Sequence, residues 1–225
     1  MVILTQTKQL NTSDQPSEGR SGKLSGGTCV LGQEEKSLAP AHDSAGSPSK
    51  QYSVAGLNEL SREGFLRVVG PVFEHSPWIA ELTWSKRPFK SVGALHRALC
   101  ETVLASDEPR KLALIRAHPD LAGRAARAGR LTAASAQEQA SGGLDKLSTE
   151  EAALFDKYNH EYRERFGFPF VICARQNKKE AMLAGFERRL KNSPDQEIAA
   201  ALAEILKIAE LRLHDWISAT TDEHR

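Results

Sequence analysis

From Ala55 onward, apolar residues recur at the three- and four-residue steps that line one face of an α-helix. Leu57, Leu60, Phe65 and Val68 predict a first helical face, and Trp78, Ile79, Leu82 and Trp84 a second. Ala94, Leu95, Leu99, Val103 and Leu104 mark a third, with Leu112, Leu114 and Ile115 a fourth. Ser148 and Glu151 have the spacing of a capping box, in which hydroxyl and carboxylate each bond the other residue's backbone, so a helix should open there. Phe155, Tyr158, Tyr162 and Phe166 follow on one face, and Gly167 ends it. Ser193, Pro194 and Gln196 predict another start, with Ile198, Leu202, Ile205, Ala209, Leu213 and Trp216 on one face of the helix behind it. Only Phe170–Cys173 reads as a strand, and four residues without a partner cannot make a sheet. The pattern therefore predicts an all-α protein: one domain, a bundle of helices, no internal repeat.

Residues 1–54 break this pattern. They hold nine Ser, six Gly and three Pro but a single aromatic, Tyr52, with five basic and five acidic residues. Such a stretch buries too little apolar surface to offset an ordering cost of about 1–2 kcal/mol per residue, so a disordered N-terminal tail is expected over 1–54 and the helical domain over 55–220. The glycine-rich piece from Ser25 to Gly32 lacks the Lys-Ser/Thr of a phosphate loop. The five acids argue against a transit peptide. Over the whole chain, 30 Lys and Arg stand against 29 Asp and Glu, a formal net charge of +1, which supplies little nonspecific attraction for nucleic acid. No apolar run approaches the roughly 20 residues that cross a bilayer, so neither a membrane nor a nucleic-acid partner is expected. Cys29, Cys100 and Cys173 lie far apart, which supports neither a disulfide framework nor a zinc knuckle.

Three clusters carry candidate chemistry. In Arg116–Gly123, Pro119 disfavours helical geometry at His118, so this imidazole should sit on a rigid, exposed corner where a helix ends. In Leu131–Leu144, Ser135 and Glu138 have capping-box spacing, which by itself explains the carboxylate; the alternative is that Glu138, in the first turn of a helix, orients a polar ligand. In Arg163–Arg175, aromatic and aliphatic residues around Gly167 and Pro169 describe a buried, nonhelical core segment. Its N–H and C=O groups need partners, and an amide-rich ligand is one candidate.

Together, Phe73–Trp78, His118–Gly123, Ser135–Leu144 and Phe166–Arg175 resemble the OHCU decarboxylase family, over about residues 55–218. Members of that family act on 2-oxo-4-hydroxy-4-carboxy-5-ureidoimidazoline, the last intermediate between urate and allantoin. The resemblance implies an all-helical homodimer that releases CO2 and yields (S)-allantoin without metal or organic cofactor. It implies His118 as proton donor and Glu138 as its catalytic support. Substrate contacts would come from Pro119, from Ser135, Ala136, Gln137, Glu138 and Gln139, and from Phe170, Val171, Ile172, Cys173 and Ala174. An Arg should face a carboxylate; Arg175 is the candidate, with Arg163, Arg188 and Arg189 competing and a plain salt bridge as the alternative. One departure is Ser141-Gly142-Gly143, where a small residue, Ala and Gly are expected. The ending Asp222-Glu223-His224-Arg225 is no Ser-Lys-Leu address, so cytoplasm is expected over peroxisome. Two other readings stay open: a metal-dependent hydrolase using His118, Asp120 and His96 or His160, and a helical interaction module without catalysis.

Overall fold

A computed structural model describes residues 52–218. The expected tail up to Val54 therefore lies outside the described residues except for its last three positions, and so do the glycine-rich piece and the C-terminal tetrapeptide. Tyr52–Ser53 (β1) and Ile217–Ser218 (β2) pair in parallel, Tyr52 opposite Ile217. Ten α-helices lie between them among the described residues.

Most of these helices begin on a small polar side chain that accepts an otherwise orphaned N–H of the first turn. Ser53 does so for α1 (Val54–Glu59), Ser61 for α2 (Arg62–Val69) and Ser91 for α4 (Val92–Leu104). The first apolar stripe was expected to lie on one helix and lies on two. Leu60 is extended (ψ 148) and the Ser61 hydroxyl restarts the chain by accepting the Gly64 N–H. A 3-10 turn at Gly70–Val72 leads through the Phe73–Pro77 loop into α3 (Trp78–Thr83). Asp107 caps α5 (Glu108–Arg116), and the single-turn α6 (Arg124–Arg127) follows. Both expected capping boxes form: Ser148 with Glu151 opens α8 (Thr149–Phe166), and Ser193 with Gln196 opens α10 (Pro194–Trp216). Gly167 ends α8 at φ 75, a left-handed conformation that glycine adopts without a Cβ penalty. Thr132 caps α7 (Ala133–Ser141), and α9 (Lys179–Arg189) precedes the last helix.

The long α10 is the central element and packs against α4 and α5. Its stripe Ala201, Leu202, Ile205, Ala209 and Leu213 is buried with Leu95, Leu99, Leu114 and Ile115. The other half of the core is aromatic. Tyr162 and Phe186 meet Phe170, whose ring centre is 5.2 Å from Tyr162 and 3.9 Å from Phe186. These rings hold Phe168–Cys173 inside the bundle as an extended segment with no ladder partner, the core connector expected of it. Beneath it, Glu197 is fully buried and receives bonds from Tyr162 Oη, Arg189 Nε and Asn192 Nδ2. None of the helices described is long and apolar enough to cross a membrane.

Candidate active site

The C-terminal end of α5, the inner face of α7, the Phe170–Ala174 segment and the last turns of α10 surround one small cavity. Its empty volume, mouth included, is about 370 Å³, and its wall includes His118, Pro119, Ser135, Glu138, Gln139 and Arg212.

His118 is not on an exposed corner; it is 6% exposed. Pro119 does turn the chain, but side chains from two other helices draw the turn inward. Gln139 Oε1 accepts the Ala122 N–H (2.9 Å), Gln139 Nε2 donates to the Asp120 carbonyl (3.2 Å), and Asn159 Nδ2 donates to the Leu121 carbonyl (2.9 Å). Ala122 stands at φ 50, a strained value for a non-glycine residue that these bonds hold in place. The His118 ring is fixed by Nδ1, 2.9 Å from the Leu114 carbonyl. A carbonyl only accepts, so Nδ1 carries the hydrogen, and Nε2 of the neutral ring is a proton acceptor. Burial pushes the imidazole down to about 4; the Leu114 carbonyl and Glu74 work against that shift, while Arg212 and His75 add to it. At neutral pH His118 is therefore uncharged, and the donor role expected of it begins only after Nε2 has taken a proton.

The Ser135–Glu138 capping box does not form. The cap is Thr132, whose Oγ accepts the Ser135 N–H (3.2 Å), so the helix starts earlier and both residues lie within it, three apart on one face. That frees Glu138 from a capping role. Its carboxylate grips Arg212 in a two-point pair, Nε to Oε1 at 2.7 Å and Nη2 to Oε2 at 2.8 Å. Helical geometry also divides the expected contact residues. Ser135, Glu138 and Gln139 reach the cavity, while Ala136 and Gln137 turn to the exposed side. Gln139 reaches it with an amide already engaged in bracing the His118 loop.

Phe170, Val171, Ile172 and Ala174 line the cavity and Cys173 lies just behind, 1% exposed. The backbone here is less available to a ligand than expected. Arg189 Nη1 bonds the Val171 carbonyl (2.7 Å), the Cys173 N–H bonds Glu204 (2.9 Å), and Asn177 takes the Cys173 carbonyl (3.0 Å). Arg175 is outside, paired with Asp215 at 2.5 Å in a neighbouring hollow that Gln137, Glu138 and Arg212 also border. Arg163 pairs with Asp120 and Arg189 with Glu197, so none of these three faces the cavity freely.

The guanidinium at the cavity is Arg212, which sequence reasoning missed. The signal was present: Arg212 follows Ile205 and Ala209 at steps of four and three and precedes Trp216 by four, a charged residue within an apolar stripe. Glu74, in the Phe73–Trp78 motif, was also given no role. Its Oε2 accepts from Ser135 Oγ (3.0 Å) and Arg212 Nη1 (3.2 Å), and its Oε1 from Thr132 Oγ1 (3.0 Å). Burial raises the Glu74 carboxyl, but Arg212 and the two hydroxyls outweigh it and hold the group below the ordinary carboxylate range. Arg212 in turn is held above its ordinary range, since its two carboxylates outweigh the opposing effect of burial.

The metal triad does not assemble. His118 Nδ1 is committed to Leu114, Asp120 to Arg163 and His96 Nε2 to the Leu206 carbonyl (3.0 Å), while His160 is exposed. Among the described residues, no three His, Cys, Asp or Glu side chains gather as ligands.

A buried imidazole, a carboxylate and a guanidinium on one small cavity suit proton transfer next to an anionic group. Comparison with known proteins gives the family. A 2-oxo-4-hydroxy-4-carboxy-5-ureidoimidazoline decarboxylase of Haloferax volcanii is 42% identical over 169 residues, 75% of this chain and 98% of that one. The enzyme of the same name from Amia calva is 44% identical over 161 residues, covering 72% and 92%. A crystal structure of (S)-allantoin synthase superposes with a TM-score of 0.59 at 27% identity, over 74% of this chain and 54% of that one. The family model for OHCU decarboxylase matches residues 58–214, which takes in every wall of the cavity, and the chain belongs to that family.

Proposed function

We propose that this chain decarboxylates 2-oxo-4-hydroxy-4-carboxy-5-ureidoimidazoline to (S)-allantoin in urate degradation, with His118 as proton relay and Glu138 as its catalytic support. One observation carries the reading: the buried His118 imidazole, its Nδ1 held 2.9 Å from the Leu114 carbonyl, shares a cavity with the Glu138–Arg212 pair.

The chemistry follows from the substrate's own structure. Its carboxylate sits on a ring carbon that also bears a hydroxyl and adjoins a C=N bond. When the bond to the carboxyl carbon breaks, the electron pair moves toward that imine. A C=C bond forms, and the imine nitrogen takes a proton from solvent. The substrate thus carries its own electron sink, and the reading calls for neither cofactor nor metal. His118 Nε2 then accepts the hydroxyl proton as the C=O forms, and the imidazolium returns a proton to the former imine carbon from one side only, which sets the S configuration. Arg212, its N–H groups taken by Glu138, Glu74, Ser135 and the Val72 carbonyl, holds the Glu138 carboxylate at the cavity wall through the two-point pair. Pro119, Ser135 and Gln139, with Phe170, Val171, Ile172 and Ala174, shape the cavity around the ring and ureido group.

A homodimer, which rests on the family resemblance, a catalytic unit spanning 55–220, which rests on the apolar periodicity, and a cytoplasmic location belong to the same reading. The adaptor alternative gives no reason for His118, Glu138 and the Val171–Ile172 backbone to share one cavity. Its test is to generate the substrate from urate in situ and follow circular dichroism. Accumulation of one allantoin enantiomer supports the decarboxylase; a racemic product at the spontaneous rate contradicts it.

A further inference from the structure

Glu74 has no part in the proton relay as described, yet it is built into the site. Its side chain is 3% exposed, and it receives two hydroxyls from the first turn of α7 and its cap and a guanidinium N–H from α10. The next residue, His75, stands at φ 46 with its side chain exposed, between buried Glu74 and buried Ser76. A non-glycine residue keeps such a conformation only where the surrounding structure determines it. The two acids that share Arg212 are not equivalent. Glu138 takes two charge-assisted bonds of 2.7 and 2.8 Å, whereas Glu74 has one contact of 3.2 Å. With His118 neutral, two carboxylates against one guanidinium leave the buried cluster one negative charge in excess. An imidazolium at His118 would balance it.

We propose that Glu74 is a positioning residue for the proton relay: through Ser135 and Arg212 it sets the cavity wall, and its incompletely matched charge accommodates the imidazolium that His118 becomes. The charged and titratable groups acting on that imidazole are Glu74 and His75 from the loop before α3 and Arg212 from α10, with Glu138 of α7 on the same cavity. Of these, Glu74 favours the protonated ring while Arg212 and His75 oppose it. The inference rests on reading His118 as the relay.

The test compares Glu74→Gln and Glu74→Asp in the full-length protein. Glu74→Gln keeps an acceptor for one of the two hydroxyls and removes the charge, so kcat should fall tenfold or more while KM stays near wild type, because Glu74 does not line the cavity. Glu74→Asp keeps the charge and should recover most of that kcat. A second readout needs no turnover: with isotope-labelled histidine, the imidazolium fraction of His118 at pH 5 should fall several-fold in Glu74→Gln and stay near wild type in Glu74→Asp. A raised KM with unchanged kcat, or an unchanged His118 protonation in Glu74→Gln, overturns the proposal. Should Glu74→Gln fail to fold by far-UV circular dichroism, Glu74→Asp decides. A loss of kcat as complete as that of His118→Ala, in a protein that melts like wild type, counts against a role carried by charge. Failure of the relay reading is a separate result, turnover that survives His118→Ala.

Discussion

Burial of His118 ties the stability of the fold to a single proton. The folded protein keeps the ring neutral down to about 4, whereas the unfolded chain takes up the proton near the ordinary 6.5. Between those values the unfolded state binds more protons, so stability should fall as pH drops from 6.5 toward 4, by up to about 1.4 kcal/mol per pH unit, and this group should add nothing further below that. Urea unfolding at pH 6.5 and 5.5 reads this slope before Glu74 contributes, since its carboxyl lies below the ordinary range and loses its stabilising charge only at lower pH. The slope should shrink in His118→Gln; an equal slope would show that the imidazole is not the titrating group. Arg212→Lys tests the two-point pair. A lysine cannot match both Glu138 oxygens and leaves a buried carboxylate under-bonded, so about 3–5 kcal/mol of stability and most of the activity should be lost. At this scale the sequence was informative about His118 and Glu138 through the motifs around them. It was silent on Glu74, which sits in a loop with no period to betray burial. Arg212 was readable as a charge in an apolar stripe, but sequence distance from the other motifs hid its partner, 74 positions away.

Register decides what each element contributes. Reading Ser135 as a cap placed the start of α7 three residues too late, because the Thr132 hydroxyl accepts the Ser135 N–H while the Ser135 hydroxyl is turned to Glu74. Once the true start is known, helical spacing selects Ser135, Glu138 and Gln139 and discards Ala136 and Gln137. Capping boxes at Ser148 and Ser193 and the stop at Gly167 were legible because their partners are local. The burial of the His118–Gly123 loop was not, since it depends on Gln139 and Asn159 from distant elements. Gln139→Ala tests that brace. It leaves the Ala122 N–H without its partner, which should cost about 1–3 kcal/mol in urea unfolding. It should also lower kcat, because the turn after His118 is no longer held. Wild-type kcat with normal stability would show that the loop keeps its shape unaided.

For the whole molecule, the helical bundle followed from apolar periodicity and the composition break near Ala55, although Tyr52 and Ser53, grouped with the tail by composition, pair with Ile217 and Ser218 just beyond α10. Deleting residues 1–50 spares that pairing and every cavity wall, so melting temperature and turnover should stay near those of the full chain. A large drop in either would give the tail a structural role. Activity should likewise persist in excess EDTA, and its loss would favour a metal-dependent reaction. The measurement closest to the centre is the enantiomeric excess of allantoin formed from in situ substrate, followed by circular dichroism with wild type and His118→Ala side by side. Wild type should accumulate (S)-allantoin while the folded variant gives only the slow racemic background; a variant that still produced the S enantiomer at near wild-type rate would remove His118 from the reaction.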